Sequence, residues 1–165
     1  MSLDVTVRPA TPADWPATPA LQPRAFGPGR CTRAADRIRE GQPLLSRFCL
    51  VAVVPGQLIA SIRFTEVNIG GAPGALLLGP LAVEPAFAGQ GHGRRLVAEG
   101  LERAKAAGVR LSVLVGDESY YARFGFLRVP PGQIWLPGPA DPDRILAVEL
   151  APGALLEYRG LISAR

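Results

Sequence analysis

The stretch Phe87-Ala88-Gly89-Gln90-Gly91-His92-Gly93-Arg94-Arg95-Leu96 sets three glycines at alternate positions just ahead of two arginines. It lies between a strand-like run, LLLGPLAV, and a helix-like run, RRLVAEGLERAKAAG. A glycine-rich turn at such a junction lets consecutive main-chain N–H groups point at a ligand, and the helix start adds partial positive charge. The chemistry open to it is the holding of an anion, above all a pyrophosphate that must approach the main chain closely. Arg94 and Arg95 carry the wrong sign for the first turn of a helix and the right sign for phosphate oxygens. The plainer alternative is a tight strand-to-helix turn with both arginines in water. The spacing is not that of the dinucleotide fingerprint G-x-G-x-x-G, whose acidic residue follows ~20 positions on, and no G-x-x-x-x-G-K-[ST] run is present.

Other groups with chemistry in them are few. The single histidine, His92, sits inside the glycine loop. Tyr120 and Tyr121 are neighbours in DESYYARF, a run that reads as a short helix ended by Gly125. Neighbours on a helix diverge by ~100°, so only one of the two should face a given site. A phenol titrates near ~10 and can therefore give up a proton to a stronger base at neutral pH. Cys31 and Cys49 are far apart and share no ligand-like spacing with His92, which excludes a disulfide framework and a zinc site. No metal is expected.

The elements that must position these residues follow from periodicity. DVTVRPA alternates as a first strand. Thr11-Pro12-Ala13-Asp14 is a helix start with a capping threonine, a proline at the first helical position and a carboxylate in the first turn. Pro16, Pro19 and Pro23 keep that helix short or broken, and CTRAADRIRE predicts a second. RFCLVAVV and LIASIRFTEVNI form a hairpin about PGQ, and ALLLGPLAV is the next strand. Pro80 inside it marks a bulge or an interruption of pairing, because proline donates no ladder hydrogen bond. Leu96, Val97, Leu101 and Ala104 fall at helical spacing after the glycine loop, and Gly108 closes that helix. RLSVLVG, FLRV and ILAVEL are later strands, with the Pro/Gly-rich PPGQIWLPGPADP between the last two. The order β-α-α-β-β-β-α-β-α-β-β gives a mixed sheet with helices on its faces, an α+β or mixed α/β domain.

Composition limits the function classes. At 165 residues, 48% of them hydrophobic, the chain reads as a single domain over 1–165 with a substantial core. No apolar run approaches the ~20 residues of a membrane span, and the start MSLDVTVRPAT lacks the basic and apolar regions of an export signal, which predicts a cytoplasmic protein. The net charge of +4 is carried almost entirely by arginine, Lys105 being the lone lysine. That balance suits an anionic ligand. With no basic run or aromatic-interleaved basic stripe, it does not predict nucleic-acid binding.

The stretch LLLGPLAVEPAFAGQGHGRRLVAEGLERAKAAG, followed by LSVLVGDESYYARFGFLRV, closely resembles the GCN5-related N-acetyltransferase (GNAT) superfamily, within it a bacterial branch of N-acetyltransferases. The first part is similar to its acetyl-CoA pyrophosphate motif Q/R-x-x-G-x-G/A, the second to its Y-x-x-x-G-F segment, here Tyr121 to Phe126. The resemblance covers nearly the whole chain. It implies a central mixed, mostly antiparallel twisted sheet with helices on both faces and splayed fourth and fifth strands. It implies acetyl transfer from acetyl-CoA to a primary amine of a small-molecule or protein acceptor, by direct attack in a ternary complex. A homodimer is one arrangement the family allows. The residues carried over are Leu81, Ala82 and Val83 for the pantetheine arm, and Ala88, Gly89, Gln90, Gly91, His92, Gly93, Arg94 and Arg95 for the pyrophosphate. Tyr121 takes the general-acid position, Glu66 is a candidate base, and Arg30 and Arg33 lie in the segment that forms the acceptor side. Arginine there would suit an acceptor bearing a carboxylate or phosphate. One departure is clear: Ala88 stands where the motif has Gln or Arg. That departure favours the alternative, a non-catalytic acyl-CoA-binding regulatory module of the same fold, whereas Tyr121 and the intact glycines favour the enzyme.

Overall fold

A computed structural model describes residues 4–11, 14, 46–138 and 141–164. The strands are β1 (Thr6–Pro9), β2 (Leu50–Val54), β3 (Gln57–Ile69), β4 (Ala72–Val83), β5 (Leu111–Val115), β6 (Leu127–Arg128), β7 (Ile134–Trp135), β8 (Ile145–Glu149) and β9 (Gly160–Ala164). The α-helices among the described residues are α1 (His92–Ala106) and α2 (Glu118–Tyr121). The sheet runs β1-β2-β3-β4-β5-β8-β6, with β9 pairing both β3 and β7. Every pair along that main path is antiparallel except β4–β5.

Turn chemistry sets the hairpins. Pro55 and Gly56 (φ +77°) join β2 to β3, as a Pro-Gly turn requires. Gly70 and Gly71 (φ +58° and +85°) join β3 to β4 with both central residues left-handed, the two-residue turn whose twist matches the strands. The register brings Ile69 opposite Ala72, so β4 starts earlier than the sequence predicts and takes in Pro73 and Gly74. Further along, Phe64 faces Leu78 but Ile62 faces Leu81, so one extra residue is accommodated at Gly79–Pro80. This is the bulge that Pro80 announces; the Gly79–Pro80 peptide is cis.

The α1 helix buries Leu96, Val97, Leu101 and Ala104 on one sheet face, with Leu50, Ile62, Phe64, Leu76 and Leu81 beneath. The other face carries a second core of Val67, Ile69, Leu77, Leu111, Val113, Ile145 and Ile162. The sequence reading lacks β7 and β9. Gly160 (φ +127°) stacks on the Gly70 turn so closely that a Cβ on it would lie 2.7 Å from the Gly70 Cα, and the Gly70 N–H donates to the Leu161 carbonyl at 2.9 Å. Both helices predicted between β1 and β2, together with Cys31, lie outside the described residues.

Asp14, from the predicted start of the first of them, is among the described residues. Its carboxylate is buried and accepts from Arg8 Nη1 and Nη2 at 3.0 and 2.8 Å and from the Thr11 N–H at 2.6 Å. The Thr11–Asp14 bond is the reciprocal arm of a capping box. Hydrogen bonding from Arg8 holds the Asp14 carboxyl below its ordinary range, despite burial acting the other way. A depressed carboxyl stabilises the fold above its unfolded value of ~3.9, and that stabilisation fades as pH falls through the lower folded value. Asp14→Asn should therefore lower unfolding stability by about 2 kcal/mol at pH 7. The gap from wild type in urea melts should shrink as pH is taken from 5 towards 2.

Candidate active site

The site is built where β4 and β5 part. Their parallel pairing covers Ala75–Leu77 against Leu111–Val113 and then stops. β4 runs on through Pro80 to Val83, held on its other side by β3, while β5 runs on to Val115 and pairs with β8. Between them opens a wedge whose β4 wall is Leu81, Ala82 and Val83, with main-chain groups facing no β5 partner. This is the splay expected from the sequence, and the bulge at Gly79–Pro80 lies on its β4 edge.

The glycine loop closes one end of the wedge. Ala88 donates its N–H to the Pro85 carbonyl at 3.2 Å and finishes a short turn; its exposed methyl offers no polar group. Gly89 and Gly91 are left-handed (φ +77° and +86°), with nothing within 4 Å of where a Cβ would stand. Among the described residues the N–H groups of Gly89, Gln90 and Gly91 have no acceptor. Those of His92, Gly93 and Arg94 are the unsatisfied donors of the first turn of α1. No side chain caps that end and no acidic residue lies in its first turn. A run of orphaned donors at a helix N-terminus, on a backbone that only glycine adopts easily, fits a pyrophosphate. Arg94 is exposed and forms no salt bridge among the described residues, whereas Arg95 reaches back towards the Val5 carbonyl at 3.5 Å. His92 belongs to the loop: Nε2 lies 3.2 Å from Gln90 Oε1 and the ring meets Phe87 edge-on.

The aromatic pair on α2 faces the wedge from the β5 side. A Cβ on Gly116 would lie 2.9 Å from Tyr121 Cε2 and 3.0 Å from Leu114 Cδ1, which sets the Tyr121 ring against the end of β5, three residues past the last β4–β5 pair. Tyr121 packs edge-to-face on Tyr120 and Phe126, at 4.9 and 5.8 Å between centroids. Burial first, then the neighbouring Tyr120 and Asp117, push its phenol up to about 12. It therefore holds its proton throughout the neutral range.

Glu66 is elsewhere. It faces Leu76 across the β3–β4 ladder and lines a small cleft with Ala107, Gly108 and Val109, at the end of α1 remote from the glycine loop. There it pairs with Arg47 at 3.8 Å. The structure does not bring Glu66 to Tyr121. Arg30 and Arg33 lie outside the described residues. No group of three or more His, Cys, Asp and Glu side chains suited to a metal occurs among the described residues. No helix there is long and apolar enough to cross a membrane. What sequence reasoning missed is the reach of Tyr120, developed below.

A parted β4–β5 pair beside a helix start with unpaired N–H donors is the arrangement that the resemblance to the GNAT superfamily implies. The comparisons agree. The acetyltransferase (GNAT) family matches residues 14–126. The uncharacterized N-acetyltransferase YhbS of Escherichia coli K12 is 29% identical over 157 residues, 94% of this chain and 93% of that protein. The crystal structure of YhbS in complex with CoA superposes with a TM-score of 0.83 at 30% identity, over 100% of this chain and 92% of that one. A GNAT family acetyltransferase from Brucella melitensis, in complex with acetyl-CoA, gives 0.74 at 29% identity, over 99% and 97%. The chain belongs to the GNAT family and is an acetyl-CoA-dependent N-acetyltransferase.

Proposed function

We propose that this chain passes the acetyl group of acetyl-CoA to a primary amine of a small molecule or protein by direct attack in a ternary complex. The observation that carries this reading is the wedge beyond Leu77–Val113, which opens beside the orphaned donors from Gly89 to Arg94. The N–H groups of that loop hold the pyrophosphate, with Arg94 beside them in place of the side chain that Ala88 lacks. Main-chain groups of Leu81, Ala82 and Val83 hold the arm as an added strand would. The bound cofactor supplies a thioester, whose carbonyl carbon is open to an amine and whose sulfur leaves. An N–H of Leu81 or Ala82 donates to the oxygen that gains charge as the amine attacks. As the C–N bond forms and the C–S bond breaks, the Tyr121 phenol gives its proton to the departing sulfur. The amine loses its own proton to water, and water returns a proton to the Tyr121 phenolate. Glu66, paired to Arg47 at the far end of α1, has no part in this.

Tyr121 at the β5 side of the wedge, a phenol that keeps its proton at neutral pH, favours this reading over a non-catalytic CoA-binding module. Tyr121→Phe should lower kcat about 100-fold with any amine that an acceptor screen yields. Because burial raises this phenol to about 12, wild-type kcat should show no alkaline fall from this group below about pH 11. Unchanged turnover in Tyr121→Phe removes the phenol from the chemistry.

A further inference from the structure

Tyr120 reaches across the wedge. Its backbone belongs to α2, on the β5 side. Its hydroxyl lies on the far side: a Cβ on Gly93 would stand 3.3 Å from that oxygen, 3.4 Å from Val83 Cγ2 and 3.6 Å from Leu81 Cδ2. Gly93 is in the first turn of α1, and Leu81 and Val83 form the β4 wall. The phenol thus reaches from α2 to the start of α1, over the residues proposed to hold the cofactor arm.

The ring is fixed in that pose. Tyr121 packs on it at 4.9 Å and Phe124 at 6.0 Å, and the Arg123 guanidinium lies over its face at 4.9 Å. The hydroxyl itself has no hydrogen-bond partner among the described residues. Burial pushes this phenol up, so it keeps its proton, while Arg123, Arg94 and the α1 N-terminus set positive charge beside it. Gly93 is what permits the approach, since a methyl there would press on the phenol oxygen. An oriented O–H beside orphaned N–H donors extends the same anion site by one donor.

We infer that Tyr120 is a cofactor-positioning residue: it closes the wedge over the bound arm and donates its hydroxyl proton to a phosphate oxygen held by the glycine loop. This rests on the cofactor placement proposed above. It divides the tyrosine pair by task, with Tyr121 serving the sulfur and Tyr120, against Gly93, serving the phosphates.

The test is calorimetric titration of CoA, and of ADP by competition with CoA, into wild type, Tyr120→Phe and Gly91→Glu. ADP keeps the pyrophosphate and lacks the pantetheine arm. Tyr120→Phe retains the ring and its packing, so its melting temperature without ligand should match wild type. A merely structural role would then leave affinity unmoved. The expected result is about a tenfold loss of affinity for both CoA and ADP. Equal affinity of wild type and Tyr120→Phe for CoA, or a loss that spares ADP, overturns the assignment while the glycine-loop site stands. Wild type that fails to bind CoA, or Gly91→Glu that binds it as well as wild type, overturns the cofactor placement and this inference together.

Discussion

Gly91→Glu will abolish CoA binding at micromolar concentrations while leaving the protein folded. A Cβ on Gly91 meets nothing within 4 Å, so the glutamate side chain has room. The left-handed backbone costs a non-glycine residue about 1–2 kcal/mol, and a carboxylate at the N-terminus of α1 returns up to ~1 kcal/mol of that. Stability should fall by no more than about 2 kcal/mol. The ligand meets a different balance. A carboxylate set among the orphaned donors competes for them and repels the pyrophosphate. At ~4 Å and an effective dielectric near 20 that repulsion is of the order of 4 kcal/mol, enough for at least a 100-fold rise in Kd. Calorimetry for affinity and thermal melting for stability separate the two. A variant that melts as wild type does and binds CoA as tightly removes the pyrophosphate from this loop.

The second large effect is on the fold and runs against helix propensity. Gly100 lies inside α1, where replacing glycine by alanine ordinarily stabilises by about 1 kcal/mol. Here a Cβ would come within 2.5 Å of Phe64 Cε2 and 2.7 Å of its Cζ. Phe64 is fully buried between α1 and the sheet and has nowhere to move. The helix must lift or the ring must leave its place, and overpacking of this kind costs about 1–3 kcal/mol. Gly100→Ala should therefore melt below wild type, by about 3–6 °C for a domain of this size. A higher melting temperature would show that α1 does not sit so close to β3. Since α1 carries the glycine loop at its start, the same lift should weaken CoA binding, far less than Gly91→Glu does.

Most of the frame was legible in the sequence because its signals are local. The 3.6-residue period of Leu96, Val97, Leu101 and Ala104 defines α1, and the turn PGQ defines the β2–β3 hairpin. Pro80 inside an apolar run marks the bulge before any coordinate is seen. β7 and β9 escaped because neither carries its own signal. β7 is two residues inside a Pro/Gly-rich stretch, and β9 exists through its partners β3 and β7. Site residues divide in the same way. The glycine loop announces itself through residue type and spacing, and Tyr121 through its family motif. Glu66 shows the limit: a carboxylate on a strand can serve either end of a sheet, and only the register against Leu76 places it at the far end of α1. Tyr120 is the opposite case. Helical geometry at Tyr120–Tyr121 says that the two rings diverge, but not that one of them spans the gap to Gly93.

Main-chain groups of the glycine loop and of β4 beyond the bulge are proposed to hold the cofactor. Hydrogen exchange of the backbone amides, with and without saturating CoA, tests it most directly. The prediction is that protection is gained at Gly89 to Arg94, whose N–H groups have no acceptor in the ligand-free fold, and within Leu81–Val83 on the open side of β4. CoA binding with unchanged exchange at both segments, and protection appearing elsewhere on the sheet, would contradict it.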